Sequence, residues 1–275
     1  MRIAIQGIDG SYHHTAAVEY FGNGSEFAYC NNFREVARMV EKAEVDYGVM
    51  AIENSIAGSI IPNYSILQDC KLQVAGEAYL KITHNLMALP GVKMDDIQDV
   101  FSHQMALHQC INYLEDNPAW KLIETRDTAW SAMMITEKKL QNAAAIASER
   151  ASHLFGLDIL AYEINTIKNN YTRFMILKRH DLIIPADADK ASLYFKISHQ
   201  KGSLIKVLKQ MEDSAINLSK LQSYPIANDP WHYMFHVDME FDSISDYVRA
   251  IDRIQREAAG VYVYGVYKKG SSINK

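Results

Sequence analysis

The sequence predicts an α/β protein: a mostly parallel sheet with helices on both faces, followed by a smaller βαββαβ unit. Three observations carry this. Short β-rich runs alternate with helical patterns through the first part of the chain, which implies parallel strands covered by crossover helices. The connection Ile183-Ile184-Pro185-Ala186-Asp187-Ala188-Asp189 breaks that alternation with a proline and small or acidic residues. Beyond it the remaining elements follow the order of a ferredoxin-like split arrangement. At 275 residues the chain is long enough for two sizeable cores.

Taken in order, Arg2–Gln6 is a strand, and Gly7-Ile8-Asp9-Gly10 turns into a helix over His14–Phe21. Glu26–Cys30 is a strand. Phe33–Glu44 is an amphipathic helix with Val36, Met39 and Val40 on one side. Tyr47–Ile52 is a buried-type strand ending at Glu53-Asn54-Ser55. After a longer Leu72–Leu89 region come a strand at Val100-Phe101, a helix over Met105–Leu114 and a strand at Lys121–Ile123. Helix Thr128–Glu137, strand Ala143–Ala147 and helix Glu149–Phe155 follow. Past the linker the order is strand Ala191–Ser198, helix Ser203–Glu212 and strand Ile216–Tyr224. Strand Trp231–Glu240, helix Ser245–Ala259 and strand Val261–Tyr267 complete it. Pro225 to Pro230, with Asn228 and Asp229 between, suits a hairpin connection.

Composition narrows the function classes. A hydrophobic share of 48% and a charged share of 22% are those of a soluble globular protein. Net charge is −5 with signs mixed along the chain, which argues against a nucleic-acid partner. An anionic substrate must then be attracted by local groups. Met1-Arg2-Ile3-Ala4-Ile5 already reads as a strand rather than a leader, and no apolar run reaches membrane-spanning length. Cys30, Cys70 and Cys110 are far apart, which suits a reducing compartment and offers no zinc spacing. The adjacent His13-His14 pair fits surface or core better than a metal site. The expectation is a cytoplasmic protein without metal, membrane or nucleic acid.

Open α/β sheets bind ligands beyond the carboxyl ends of their strands. Asp9 and Ser11, Asn54 and Ser55, Ser102 and His103, and Ser148 fall at those ends. Each also sits where a helix begins, so N-capping accounts for any one of them. Their convergence on one edge favours a site, and helix N-termini attract carboxylates. There is no nucleophile elbow or phosphate loop, and Gly7 with Gly10 is too little for a dinucleotide fingerprint. A rim of neutral donors suits a substrate whose own instability drives the reaction, so that orienting and stabilising a departing group suffices.

The segments Gly7-Ile8-Asp9-Gly10-Ser11-Tyr12, Ala51-Ile52-Glu53-Asn54-Ser55-Ile56-Ala57-Gly58, Ser102-His103 and Asn170-Tyr171-Thr172-Arg173-Phe174 together resemble the prephenate dehydratase family. Gly7-Ile8-Asp9-Gly10-Ser11-Tyr12 is similar to its opening glycine motif, with Ile8 where proline is usual. Ala51-Ile52-Glu53-Asn54-Ser55-Ile56-Ala57-Gly58 is similar to its "IENS…G" motif. Ser102-His103 with Gln109-Cys110 matches the serine-histidine segment, although Gln104-Met105 replaces the usual Pro-Gln. Asn170-Tyr171-Thr172-Arg173-Phe174 reproduces the signature most tied to catalysis. The resemblance implies cofactor-free decarboxylative dehydration of prephenate to phenylpyruvate. It also implies two small α/β lobes around a cleft, like type II periplasmic binding proteins, over residues 1–182.

Thr172, Asn54, Ser102 and Gln109 correspond to family residues associated with activity. Thr172 is expected to donate to the departing hydroxyl, with Glu53 or His103 as possible proton sources. Arg173 suits a substrate carboxylate through its planar fork, or a structural ion pair. Phe174 and Tyr12 would form an apolar wall, with Ser55 and Ser11 on the substrate rim.

After a linker at 183–189, residues 190–275 resemble an ACT-type regulatory domain, which in this family binds phenylalanine. Gly202-Ser203-Leu204 stands at the "GAL" position, Ile216-Asn217-Leu218 matches "INL", and Gln222-Ser223-Tyr224-Pro225 replaces "ESRP". This implies an L-phenylalanine site of Gly202, Ser203, Leu204, Asn217, Leu218 and Ser223. There the Ser203 helix start would take the carboxylate and Asn217 the amino group. The other reading is a turn and strand in a dimerising domain. A homodimer or homotetramer is expected, since four-stranded units of this kind pair readily. Arogenate dehydratase and a non-catalytic metabolite sensor are the alternative functions.

Overall fold

In the computed structural model the described residues are 1–181, 183–226, 229–270 and 272–273. The domain end expected at Leu182 and the Asn228 of the hairpin connection lie outside them. The chain divides into two compact units, one built mainly from Met1–Cys70 and Ala78–Met175, the other mainly from Lys71–Glu77 and Ile176–Gly270.

The first unit begins with β1 (Arg2–Gln6), α1 (Tyr12–Phe21), β2 (Glu26–Cys30), α2 (Phe33–Glu41) and β3 (Tyr47–Asn54). Next come β4 (Gly58–Ser59), α3 (Ile61–Asp69), β5 (Leu72–Lys81) and β6 (Asn85–Ala88). The chain goes on through β7 (Asp99–His103), α4 (Gln104–Gln109), α5 (Ile111–Glu115), β8 (Lys121–Thr125) and α6 (Thr128–Lys138). It closes with β9 (Ala143–Ala147), α7 (Glu149–Phe155), β10 (Asp158–Ala161) and β11 (Tyr171–Arg179). One sheet has the order β5-β11-β3-β1-β2, the other β10-β6-β9-β7-β8. In the first sheet β1 lies between β2 and β3, in the second β7 lies between β8 and β9, and β11 comes back to the first sheet after the whole of the second has formed. These are the two α/β lobes expected of a type II binding-protein arrangement. The second sheet is mixed, because β6 runs antiparallel to both β9 and β10.

Local chemistry explains where sequence and structure part. The second helix stops at Glu41 rather than Glu44, and Ala43 takes a left-handed φ of +58° that no helix continues. The stretch Met105–Leu114 is two helices, broken at Cys110, and the carbonyl of Gln109 accepts the Thr166 N–H at the break. The strand expected to end at Ile52 runs on to Asn54, held by the antiparallel β4. Helix α3 and strands β10 and β11 were not anticipated. β9 is Ala-Ala-Ala-Ile-Ala with every residue buried, and its small side chains let elements close on both faces.

The second unit adds β12 (Lys190–Lys196), α8 (Ser203–Glu212), β13 (Asn217–Ile226), β14 (Asp229–Glu240), α9 (Ile244–Glu257) and β15 (Gly260–Tyr267). A short β16 (Ser272–Ile273) pairs with β5 within the first unit. The order β13-β14-β12-β15 is the βαββαβ arrangement expected. Leu193, Phe195, Val237, Met239 and Val266 face the helices and pack with Val207, Met211, Ala250 and Ile254. Polar groups are also buried in this unit. Ser192 bonds Asp238 at 2.5 Å and the Tyr267 hydroxyl at 2.6 Å, and Lys190 Nζ lies 2.9 Å and 3.0 Å from the two Glu77 oxygens. Nearby, Gly265 admits the backbone of residues 71–77: a Cβ there would stand 2.0 Å from the Val74 carbonyl oxygen.

Lys190 and Glu77 are 1% and 0% exposed, so the pair has lost nearly all its hydration. Replacing only one partner leaves a buried charge facing an apolar group. Lys190→Met is expected to lower unfolding free energy by about 3–5 kcal/mol, and the double change Lys190→Met with Glu77→Leu by markedly less. Urea denaturation of the three proteins checks this; a double variant no better than the single one would contradict it.

Candidate active site

Where the two lobes of the first unit face each other, a cleft of about 360 Å³ opens. From the first lobe, Tyr12, His13, Phe33, Asn54, Thr172 and Phe174 line it; from the second, His103, Met105, Gln109, Arg126, Asp127 and Thr128.

Asn54 sits at the carboxyl end of β3, and its side-chain oxygen accepts the backbone N–H of Ile56 at 3.0 Å and of Ala57 at 2.9 Å. That turns the amide nitrogen toward β11, where it donates to Asn170 Oδ1 at 2.7 Å and to Thr172 Oγ1 at 3.0 Å. Asn170 in turn donates to Gln109 Oε1 at 2.9 Å, and Gln109 donates back to Asn54 Oδ1 at 3.4 Å. Three amides close a ring. Because Thr172 accepts from Asn54, its own hydroxyl proton is left for a group in the cleft. The residue is 9% exposed, so that proton acts in a largely dry setting.

Gln109 Oε1 also lies 2.9 Å from His84 Nε2, which places the ring proton on Nε2 and the lone pair on Nδ1. The Tyr12 hydroxyl donates to the Thr83 carbonyl at 2.7 Å and lies 2.9 Å from His84 Nδ1. Burial, with Cys110 and Asp127 adding to it, holds the Tyr12 hydroxyl pKa well above its usual value. Burial chiefly pushes His84 down to about 4, and burial alone does the same to His13. Asp127 caps α6 by accepting the Trp130 N–H at 3.0 Å; burial still raises its carboxyl above the ordinary value. The neighbouring Arg126 guanidinium stands 5.0 Å over the Trp130 ring. His103 caps α4 by accepting the Met105 N–H through Nδ1 at 3.2 Å.

Of the residues singled out from sequence, Thr172, Asn54, Gln109, Tyr12 and Phe174 converge here. Others do not. Ser102 is fully buried on β7 and donates to the Ile146 carbonyl at 2.6 Å, so its hydroxyl is tied to the neighbouring strand rather than presented to the cleft. Arg173 falls between Thr172 and Phe174 on β11, and strand alternation turns it to the other face. There it is 4% exposed and pairs with Glu53 at 3.8 Å, the structural alternative foreseen for it. Ser55 accepts the Tyr171 N–H at 2.9 Å and does not line the cleft. Ser11 caps α1, and Ser148 caps α7. Sequence reasoning weighed His13 only as a metal ligand and passed over His84, Arg126, Asp127 and Thr128. The last three had a signal: a charged-polar run at the end of a strand and the start of a helix.

In the second unit a cavity of about 460 Å³ is lined by Ile197, Ser198, His199, Gln200, Lys201, Tyr233 and Phe235. Gly202 follows at once with φ +83° and opens α8, and the Ser203 hydroxyl meets Ser198 at 3.0 Å. Leu204 packs on the core behind. Ser223 pairs with Phe235 on the edge strand β13, near this end of the sheet. Asn217 and Leu218 pair with Glu240 and Met239 at the opposite end. The expected six-residue site is therefore not assembled within one chain, because α8 carries the chain back to the end where β12 began.

Among the described residues no group of three or more His, Cys, Asp or Glu could hold a metal ion, and no helix is long and apolar enough to cross a membrane. Two of the cleft histidines, His13 and His84, set a pH dependence. In the unfolded chain each takes up a proton near 6.5, whereas the native state refuses it until about 4. Their contribution is therefore intact above 6.5 and is lost as pH falls from there toward 4. Well inside that window the slope approaches about 1.4 kcal/mol per pH unit for each. Denaturation midpoints measured between pH 7 and 5 should fall in wild type and fall less in His84→Gln; parallel curves would contradict the assignment.

Residues 3–182 match the family model described as prephenate dehydratase. The arogenate dehydratase/prephenate dehydratase 1 of Arabidopsis thaliana is 36% identical, over 97% of this chain and 72% of its own length. The bifunctional chorismate mutase/prephenate dehydratase of Aquifex aeolicus is 32% identical, over 98% and 74%. Among solved structures, the Arthrobacter aurescens prephenate dehydratase in complex with L-Phe superposes with a TM-score of 0.87 at 26% identity, covering 98% of this chain and 90% of that one. GqqA, described as a quorum quenching acylase, has the same TM-score and identity, covering 98% of each chain. The acylase shares the fold, while the family model and the two relatives above 30% identity agree on the lineage: the chain belongs to the prephenate dehydratase family.

Proposed function

We propose that the protein converts prephenate to phenylpyruvate, water and carbon dioxide in aromatic amino acid biosynthesis, with residues 1–182 as the catalytic domain. The observation that carries the reading is the Asn54 amide bonded to Thr172 Oγ1, which directs the threonine proton into the cleft. In the reaction the ring carboxylate loses carbon dioxide, and its bonding pair passes into the ring. The C4–oxygen bond breaks, and the departing hydroxide takes one proton to leave as water. Aromatisation supplies the driving force, and the barrier lies in expelling hydroxide. Thr172 is the donor to that oxygen. A threonine hydroxyl is too weak an acid to release its proton outright, so one must be relayed. Of the two sources expected, His103 lines the cleft, whereas Glu53 is paired with Arg173; Asp127 joins His103 because burial favours its protonated form.

Arg126, rather than Arg173, is the cation in the cleft for a substrate carboxylate, and Tyr12, Phe33 and Phe174 supply the wall against the ring. Ser102 and Ser55 act by holding β7 and the end of β3. The Arabidopsis relative's name supports a second reading, arogenate as substrate, in which the product is phenylalanine itself. A cytoplasmic location fits both readings.

L-phenylalanine is the proposed effector of the C-terminal domain, residues 190–275, supported by the L-Phe complex of the Arthrobacter relative. The topology adds a condition. Gly202 and Asn217 stand at opposite ends of the sheet, so they contribute to one effector site only across a pair of copies. A homodimer or a homotetramer meets that condition.

Two experiments test these readings. Purified protein incubated with prephenate should form phenylpyruvate, followed by its ultraviolet absorbance. Thr172→Ala should lower kcat by about 10²–10⁴-fold with little change in binding, and Thr172→Ser should recover part of it. An alanine variant with most of its turnover would remove Thr172 from the reaction. In the second, phenylalanine is titrated while activity and molecular mass are followed together. A shift in apparent affinity of about 5–150-fold is expected, as for ordinary allosteric coupling; no response in either readout contradicts sensing.

A further inference from the structure

The polar side chains of the cleft are largely engaged with one another, but one buried nitrogen of His13 is not. Asn54, Gln109, Asn170, His84 and Tyr12 form the continuous hydrogen-bonded set described above. His13 lies in the first turn of α1, its ring centroid 5.2 Å from that of Phe33 and 5.1 Å from that of Phe174. Its Nε2 is buried and has no hydrogen-bond partner among the described residues. A buried nitrogen left unpaired is unfavourable, and in a substrate cleft the natural partner is the substrate. Burial alone perturbs the ring and keeps it neutral, with no charged neighbour contributing, so it presents one N–H and one lone pair.

The position of that group along the substrate follows from β11. Thr172 and Phe174 face the cleft from the same side of the strand, two residues or roughly 7 Å apart. A leaving hydroxyl seated on Thr172 therefore extends the far end of a six-membered ring, with its three-carbon side chain, along Phe174 toward His13. We propose that His13 reads the α-position of that side chain, its N–H donating to the keto oxygen of prephenate, and so favours the keto acid over the amino acid. An α-ammonium in the same place would bring a positive charge and three donors into an aromatic wall. One imidazole lone pair is a poor replacement for its water.

The inference rests on the prephenate dehydratase reading, which wild-type turnover tests by itself. Steady-state kinetics with prephenate and with arogenate are compared for the full chain and for His13→Phe, His13→Leu and His13→Asn. Wild type should prefer prephenate. His13→Phe should lose about 10- to 100-fold in kcat/KM for prephenate, mostly through KM, and little for arogenate. His13→Asn keeps an N–H donor and should retain most of the preference. Should the phenylalanine variant not fold, judged by its melting curve, His13→Leu takes its place. Equal losses on both substrates, an unchanged preference, or a wild type that prefers arogenate would each overturn the role of His13. A wild type inactive on both substrates overturns the dehydratase reading instead.

Discussion

Two backbone N–H groups, those of Ile56 and Ala57, determine the polarity of the whole cleft. They can only meet an oxygen, so Asn54 cannot flip, and its NH₂ must face β11. From there every orientation follows in sequence. Asn170 must accept with its oxygen and donate with its nitrogen, and Gln109 must accept from Asn170 and donate back to Asn54. With Gln109 Oε1 committed, His84 carries its proton on Nε2, and Thr172 is left as a donor. No charge takes part in this ring. In a buried setting such a closed chain polarises its members and resists rearrangement. The turn after β3 is therefore as much a part of the site as the threonine it orients.

Much of the fold could be read from the sequence because it rests on local signals. Strands at Arg2–Gln6, Glu26–Cys30 and Ala143–Ala147 and helices at Glu149–Phe155 and Ser203–Glu212 stand where apolar period and end residues put them. β11 was overlooked although Phe174-Met175-Ile176-Leu177 is a buried apolar run of strand length. A central strand buried on both faces has no alternation to reveal it. The site was legible in part for a related reason. Motif matches identify residues but not the direction of their side chains. Thr172, Arg173 and Phe174 are adjacent in one signature, yet the two-residue period of a strand sends the middle one away from the cleft. Ser102 and Ser55 sit in matching segments and serve the backbone, whereas Arg126 and Asp127 face the cleft without having drawn attention.

The second unit shows the same limit at larger scale. Gly202 and Asn217 are 15 positions apart, and α8 between them runs back along the sheet, so sequence nearness becomes spatial separation. A helix of 10 residues rises about 15 Å, which carries the chain back along much of the seven-residue strand β12. The edge strand β13 is exposed or half-buried throughout its length, including Leu221. Such an edge is a natural place for another copy to pair. In the proposed regulation, association and effector binding are then linked, because the groups for one ligand come from two chains.

The charge balance of the cleft also fits the proposed chemistry. The protein carries a net −5 and the substrate would bring two carboxylates, yet the cleft lining offers Arg126 among amides, hydroxyls, histidines and the Asp127 carboxyl. This is not a deficiency. The ring carboxylate gives up its charge as carbon dioxide forms, so a cation against it would hold the ground state more strongly than the transition state and slow the step. The side-chain carboxylate keeps its charge throughout, and a cation there helps binding without penalising the chemistry. Negative charge grows only on the departing oxygen, and there a donor already oriented by Asn54 costs no reorganisation at the moment of bond breaking. His13 and Asp127 obey the same logic: burial keeps the imidazole neutral and raises the carboxyl above its ordinary value, disfavouring charge where charge would oppose the flow of electrons into the ring.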